Sequence, residues 1–438
     1  MGEANASAAS IQLARPGFAA GLSVSGETEW AASQACEQVR AGLPRSPDVV
    51  FAFFNPQHVD NAADIARTIR AKLDAPAVVG VSTCAAFGAT VEMERGPGLS
   101  LLGATLPGVR LTPFCADDMA HVDDDDEARG VWGPAMGAAR DLRACFLFAD
   151  PASTPVLSLL PRFNAAIGAR PLHAFNRSPD DTPAPALFGA VASAGNQADM
   201  NVMILNDRVV KRGFVGVGVA GRIDVATVVS QGCRPVGPTM VVTKARANLV
   251  LELGGRPAME AVSDALDELG EKRREVLRGG VYLGVVIDEH RARFGRGDFL
   301  ISNVVGINQE SASIAVAGFP RVGQTVRVHV RDVRTAREDL ALLLDAQKLY
   351  DPPLGALLVS CNNRGERMFG EPSHDARAVQ RAFAHRDDDD ETTPYYAPPT
   401  VSVALAGMHA AGEIGPIGGR GFLHTQSACL AVFREMGQ

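Results

Sequence analysis

Asp48-Val-Val-Phe-Ala-Phe-Phe54 is a short apolar run of branched and aromatic residues, the pattern of a strand buried on both faces. Beyond it, Ala62, Ile65, Ile69 and Leu73 recur at helical spacing behind Asp60, which is placed to cap that helix. Ala77-Val-Val-Gly-Val81 then reads as a second buried strand. Strand, helix and strand in succession open a layered α/β unit. Upstream, Thr28 to Leu43 also carries apolar positions at helical spacing.

Further along, the pattern changes. Leu99 to Leu106, Ala144 to Phe148, Leu187 to Ala192, Asn201 to Leu205 and Val209 to Val219 are strand-like with few helices between them. Asn206-Asp207 suits a hairpin turn. This middle section predicts antiparallel sheet rather than a doubly wound fold. Gln231-Gly-Cys-Arg-Pro-Val-Gly-Pro238 is a cluster of chain breakers and marks a boundary. After it come a hairpin over Met240 to Leu253, a helix opened by Pro257, and a capping box at Thr335-Ala-Arg-Glu338. A strand over Gly355 to Ser360, a helix from His374, a strand over Val401 to Met408 and a last one over Phe422 to Phe433 follow. The expected class is α+β: two mixed α/β domains with largely antiparallel sheets flanked by helices. The expected partition is an N-terminal segment 1–44, a first domain 45–238 and a second 239–438.

Composition narrows the function. The chain has 438 residues, 46 % hydrophobic and 21 % charged, so it can fill more than one core and is neither fibrous nor wholly disordered. A net charge of −8 supplies no field to attract nucleic acid. Seven cysteines at irregular spacing, with no CxxC, make neither a disulfide framework nor a zinc cluster. The first residues carry no secretory signal, and no apolar run approaches a membrane span. A soluble, cytoplasmic protein with no membrane or nucleic-acid partner is expected.

Gly216-Val-Gly-Val-Ala-Gly221 matches a dinucleotide fingerprint, but no helix can follow it before Gly232 and Pro235. It is expected to be a glycine-rich strand. The acidic runs Asp123 to Glu127 and Asp387 to Glu391 lack the spacing and turn glycine of a calcium loop and are expected to be solvated loops. The sharper signals lie near the C-terminus. Leu357-Leu-Val-Ser-Cys-Asn-Asn-Arg-Gly365 is a strand running into a turn with a thiol, two amides and a guanidinium. Gly407 to Gly421 holds six glycines in fifteen residues around His409 and Glu413, a composition for close backbone approach. Val78 to Gly88 echoes the first segment as a strand ending at Ser82-Thr-Cys84, so that Cys84 and Cys361 could face one cleft.

At these segments the chain resembles the FIST-domain proteins. The likeness runs over about residues 45 to 433. It is carried by Asp48-Val-Val-Phe51, Val79-Gly-Val-Ser-Thr-Cys84, Gly232-Cys-Arg-Pro-Val-Gly237 and Leu251-Glu-Leu-Gly-Gly-Arg-Pro-Ala258. It continues in Phe294-Gly-Arg-Gly-Asp-Phe-Leu300, Ser360-Cys-Asn-Asn-Arg-Gly365, Gly412-Glu-Ile-Gly-Pro416 and Phe422-Leu-His424. The resemblance implies an N-terminal and a C-terminal FIST half and a non-catalytic, small-ligand-binding sensory role in signal transduction, with an amino acid as ligand and output through a partner protein. Arg364 would hold a carboxylate and Glu413 an ammonium. The candidate ligand-binding set is Ser82, Cys84, Cys361, Asn362, Arg364, Gly365, Gly412, Glu413 and His424. No metal site is expected. One alternative is a haem-binding nitric oxide sensor with His409 or His424 on the iron. Another is a thiol-dependent enzyme using Cys361, whose thiol the neighbouring Arg364 would activate.

Overall fold

The computed structural model describes residues 15–169, 184–270, 279–295, 297–384 and 402–437. The run at Val49–Phe54 (β2) is a strand, and its side chains alternate. Val50, Ala52 and Phe54 face the helices Thr28–Gly42 and Ala62–Leu73, while Val49, Phe51 and Phe53 face the centre of the molecule. β2 pairs in parallel with Ala77–Ser82 (β3) across the helix Ala62–Leu73, because a parallel pair needs a crossover. Gly17–Ser23 (β1) and Leu99–Thr105 (β6) complete the core of the sheet in the order β1-β6-β2-β3. A hairpin, Ala86–Gly88 (β4) and Val91–Met93 (β5), leaves this sheet between β3 and β6.

The same plan recurs twice. Val109–Cys115 (β7), Leu142–Ala149 (β8), Ala186–Val191 (β9) and Phe214–Gly221 (β12) form the order β7-β12-β8-β9, with the hairpin Met203–Leu205 (β10) and Arg208–Val210 (β11). Asp224–Gln231 (β13), Gly355–Cys361 (β21), Ala404–Ala410 (β22) and Ser427–Arg434 (β25) form β13-β25-β21-β22, with the hairpin Gly412–Ile417 (β23) and Arg420–His424 (β24). Each hairpin is donated to a neighbour: β4 pairs with β22, β10 with β3, and β23 with β9. The three units are thereby laced in a ring. Their inner faces share one core, in which Phe51 and Phe53 meet Phe146 and Phe148, with ring centroids 5.1 and 5.9 Å apart, beside Leu357 and Val359. Burying each such ring contributes about 1.5–3 kcal/mol.

The third unit carries an insertion between β13 and its first helix, Val333–Gln347. Cys233–Arg246 (β14), Leu249–Leu253 (β15), Arg256–Pro257 (β16), Val281–Val286 (β17), Phe299–Asn308 (β18), Ser313–Val316 (β19) and Thr325–Arg331 (β20) form a seven-stranded sheet that closes through pairing of β14 with β15, a barrel carrying the helix Ala258–Asp267.

The α+β class with largely antiparallel sheets flanked by helices is what the structure has. Several local expectations differ. The middle section contains two helices, Asp125–Ala135 and Val156–Ala166, and β8 pairs with β9 in parallel. The first acidic run is solvent-exposed but helical: Asp124 accepts the Glu127 N–H at 2.8 Å as an N-cap. The second acidic run, 387–391, lies outside the described residues. The helix Val333–Gln347 is capped by Asp332, which accepts from Thr335 N at 2.9 Å, one turn earlier than the expected capping box. Gly216 to Gly221 do lie in a strand. A Cβ at Gly218 would stand 2.0 Å from the Met136 carbonyl oxygen, so that glycine lets the helix end rest on the sheet.

Candidate functional site

The register fixes which positions of the three units correspond. Gly80, Gly189 and Gly407 stand opposite Ala52, Leu147 and Leu358 on the parallel partner strand. A Cβ at Gly189 or Gly407 would lie 1.8 or 1.9 Å from a carbonyl oxygen of that partner. Counting from these glycines, Cys84, Ser193 and Ala411 are equivalent, and so are Asn55, Asp150 and Cys361. The echo between Cys84 and Cys361 in the sequence therefore joins positions that are not equivalent: one follows a third strand, the other ends a second strand.

The break in the repeat is at Cys361. Asn55 closes its own hairpin by donating to the carbonyls of Met93 and Gly96 and accepting from Ala86 N. Asp150 does the same work in the second unit, accepting from Asn201 and Ser153. Cys361 brings a thiol where the others bring a polar clasp, and a cluster of buried charge surrounds it.

Arg364, 1 % exposed, donates from Nε and Nη2 to both Asp375 oxygens at 2.7 and 2.8 Å. Ser360 Oγ donates to the same carboxylate at 2.6 Å, and His374 Nδ1 lies 2.9 Å from it. Burial alone would raise the Asp375 pKa, but Arg364 outweighs it and holds the carboxyl far below the usual range. Arg364 Nη1 is left buried without a hydrogen-bond partner. Glu413 accepts from Ser427 N and Oγ at 3.2 and 2.7 Å through Oε2, while its buried Oε1 has no partner. Burial pushes the Glu413 carboxyl up to about 8, against the pull of Ser427 and Arg364. The pairing that would have made Arg364 and Glu413 a closed structural couple is absent: each has its own clasp and one atom to spare.

His409, at the end of β22, sits on the other flank of this cluster. Its Nε2 faces Glu92 Oε2 at 3.6 Å, and neither buried atom makes a hydrogen bond. Burial would lower its pKa, but the Cys84 and Glu92 side chains raise it to about 10. Glu94 accepts from Glu366 N at 2.8 Å and packs on Gly365, whose φ of +79° and lack of Cβ admit the carboxylate. Its carboxyl is raised by burial.

The expected residues are thus distributed as follows. Cys361, Arg364, Gly365 and Glu413 belong to the cluster, and Cys84 is tied to its flank through Ser193 Oγ, which accepts the Cys84 N–H and donates to the His409 carbonyl. Asn362 is exposed at its edge. Ser82 is a structural pin: its Oγ accepts the Val202 N–H of the donated hairpin at 2.9 Å. Gly412 is a packing position, where a Cβ would meet Leu423 at 2.9 Å. Gly407, Gly415 and Gly421 approach other strands of this chain. His424 is buried with Nε2 on the Gly415 carbonyl at 2.9 Å, and burial lowers it to about 4. A nitrogen so committed does not suit haem iron, and the buried His409 Nε2 faces the Glu92 carboxylate. The site does not fit a haem. The Cys361 thiol is not activated by Arg364: burial and Glu413 push it up to about 12. Glu92, Glu94, Ser193 and Asp375 escaped the sequence reading. The signal for the first two was a pair of carboxylates in Val91-Glu-Met-Glu94, a short segment beside Gly88.

Three laced α+β units surround one core and carry buried charge at their junction. The chain belongs to the FIST family: the FIST N domain matches residues 48–256 and the FIST C domain residues 258–416. FIST domains are associated with sensory roles in signal transduction. An uncharacterized protein of Mycobacterium bovis is 32 % identical over 416 residues, spanning 94 % of this chain and 97 % of the relative. One of Mycobacterium tuberculosis is 30 % identical over 419 residues, spanning 94 % and 98 %. A cyanuric acid hydrolase of A. caulinodans aligns over 96 % of this chain and all of its own, at 9 % identity and a TM-score of 0.32. A chorismatase aligns over 96 % and 99 %, at 11 % identity and a TM-score of 0.31. At such scores neither activity carries over. Among the described residues no helix is long and apolar enough to cross a membrane.

Proposed function

We propose that this chain is a cytoplasmic sensory protein that binds a small zwitterionic ligand of the amino-acid class and reports it to a signalling partner protein. The observation that supports the reading is the pair of spare atoms, Arg364 Nη1 and Glu413 Oε1. They are buried, of complementary character, within electrostatic reach of each other and unclaimed by the protein. Unsatisfied buried polar groups are costly, and a ligand with a carboxylate and an ammonium relieves both. Arg364 is pre-oriented by Asp375, so little ordering entropy is lost on binding.

The test is a thermal-shift panel of the proteinogenic amino acids with the full chain. A ligand at about a hundred times its Kd stabilises by about 2.7 kcal/mol. A shift with one member, lost in Glu413→Gln, supports the reading. If no amino acid raises the melting temperature at millimolar concentration, the ligand class is wrong.

A further inference from the structure

Two helices of the third unit, Val333–Gln347 and His374–Phe383, pack on its sheet through Leu340, Leu344, Ala376 and Val379. Between them they leave a groove of about 430 Å³. Leu344 and Ala378 are among its apolar lining. Its charged lining is four cations, Arg337, Lys348, Arg377 and Arg381, against two carboxylates, Asp345 and Glu371. On a chain of net charge −8 this is a local excess of positive charge. Both carboxylates are already taken: Arg337 donates to Glu371 at 2.9 Å, and Lys348 to Asp345 at 2.7 Å. Among the described residues no carboxylate meets Arg377 or Arg381. These two stand four positions apart on one helix, so they are neighbours on one face and their guanidinia can converge on a single group. Arg377 is half-buried and Arg381 exposed, which leaves both reachable from solvent.

We propose that this groove binds a small organic phosphate, with Arg377 and Arg381 on the phosphoryl oxygens and the organic part over Leu344 and Ala378. Charge selects the phosphate. Two guanidinia without a counter-ion suit a dianion, and a phosphomonoester carries about −1.5 to −2 at neutral pH. A single carboxylate would neutralise only one of them. The planar guanidinium fork also matches phosphate oxygens two at a time. Volume and lining select the organic part. Pockets for small organic ligands run from about 300 to 1,000 Å³, and the apolar lining gives a hydrocarbon body somewhere to lie. His374 lines the groove as well, and its Nδ1 is 2.9 Å from Asp375. The groove and the buried cluster thus share a side chain, but this proposal uses neither Arg364 nor Glu413.

The probe is phenyl phosphate, titrated calorimetrically into the full-length protein, with inorganic phosphate and benzoate titrated in parallel. One saturable site per chain is expected, with phenyl phosphate bound more tightly than either control. Arg377→Ala and Arg381→Ala should each weaken it by about tenfold or more, and Arg377→Lys should recover part of the loss, because the charge returns without the fork. Alanine is a strong helix former, so these variants keep the helix. No binding of phenyl phosphate at millimolar concentration overturns the proposal. So does benzoate bound as tightly, which removes the phosphate. Inorganic phosphate bound as tightly marks a free-phosphate site and overturns the organic assignment. Those comparisons are made on the unaltered chain, so they decide even if a variant fails to fold. Affinity unchanged in folded Arg377→Ala, Arg381→Ala double variant overturns the placement in this groove. The amino-acid shift of the preceding section depends on Arg364 and Glu413, so either reading can fail alone.

Discussion

Asp375→Asn isolates what the buried ion pair does. The asparagine keeps the volume and removes the charge, so the Arg364 guanidinium stays buried with no counter-ion. Removing one partner of a buried pair costs about 3–5 kcal/mol. The Phe369 ring, 5.1 Å from the guanidinium carbon, is already in place and offsets part of this. Such a contact is worth about 0.5–2 kcal/mol, which leaves a net loss near ~3 kcal/mol. Unfolding entropy of about 2 cal/mol/K per residue makes that a fall of ~3–4 °C in Tm for one cooperative unit of this length. Urea unfolding followed by tryptophan fluorescence and circular dichroism measures it. The double variant Arg364→Met, Asp375→Leu should recover most of the loss, because an apolar pair needs no counter-charge. A single variant within about 0.5 kcal/mol of the parent, the range of an ordinary surface change, refutes the argument. The pair should also resist acid. Its carboxyl is depressed, so its contribution is present above the ordinary aspartate range and is lost only as pH falls through the lowered value.

Other outcomes follow from the same geometry. Glu413 has a folded pKa of about 8 against 4.5 for an ordinary glutamate. Its contribution is complete at the acid end and is lost as pH rises through about 8, so Glu413→Gln should flatten the stability profile over that window and gain stability at its alkaline end. His409, raised from 6.5 to about 10, likewise contributes below its ordinary value and loses that contribution as pH rises through about 10; His409→Gln should remove this alkaline slope in equilibrium unfolding. The repeat glycines should separate in alanine substitutions. Gly189→Ala and Gly407→Ala place a Cβ on a carbonyl oxygen and should cost more than about 3 kcal/mol. Gly80→Ala, with its nearest neighbour at 3.2 Å, should be milder by calorimetry. Ser82→Ala leaves the Val202 N–H without its acceptor and should cost about 1–3 kcal/mol in urea unfolding.

Much of this protein is local. Val49–Phe54 is apolar at every position, and a strand so composed has only the choice of burial on both faces; the helix Ala62–Leu73 follows from apolar spacing, and the hairpin at Asn206 from a residue that tolerates positive φ. The family was legible because its segments lie in order along the chain. Arg364 and Glu413 stand out in the sequence as charged residues in glycine-rich, strand-bounded segments against an apolar background. The threefold plan was not legible, because its units share strand order and a few glycines but little else, and one is split by a barrel of about a hundred residues. The partners of the site were equally hidden. Asp375 joins Arg364 from a helix of the same unit, while Glu92 and Ser193 reach His409 and Cys84 from other units, and separations of up to 317 positions carry no periodic signal. Sequence alone determined the strands and helices of the first layered unit and which residues carry charge, since these depend on neighbours a few positions away. Tertiary structure alone decided which charges are paired, which thiol is accessible and which imidazole is protonated. Each of those depends on burial and on groups that only the closing of the ring brings within a few ångströms.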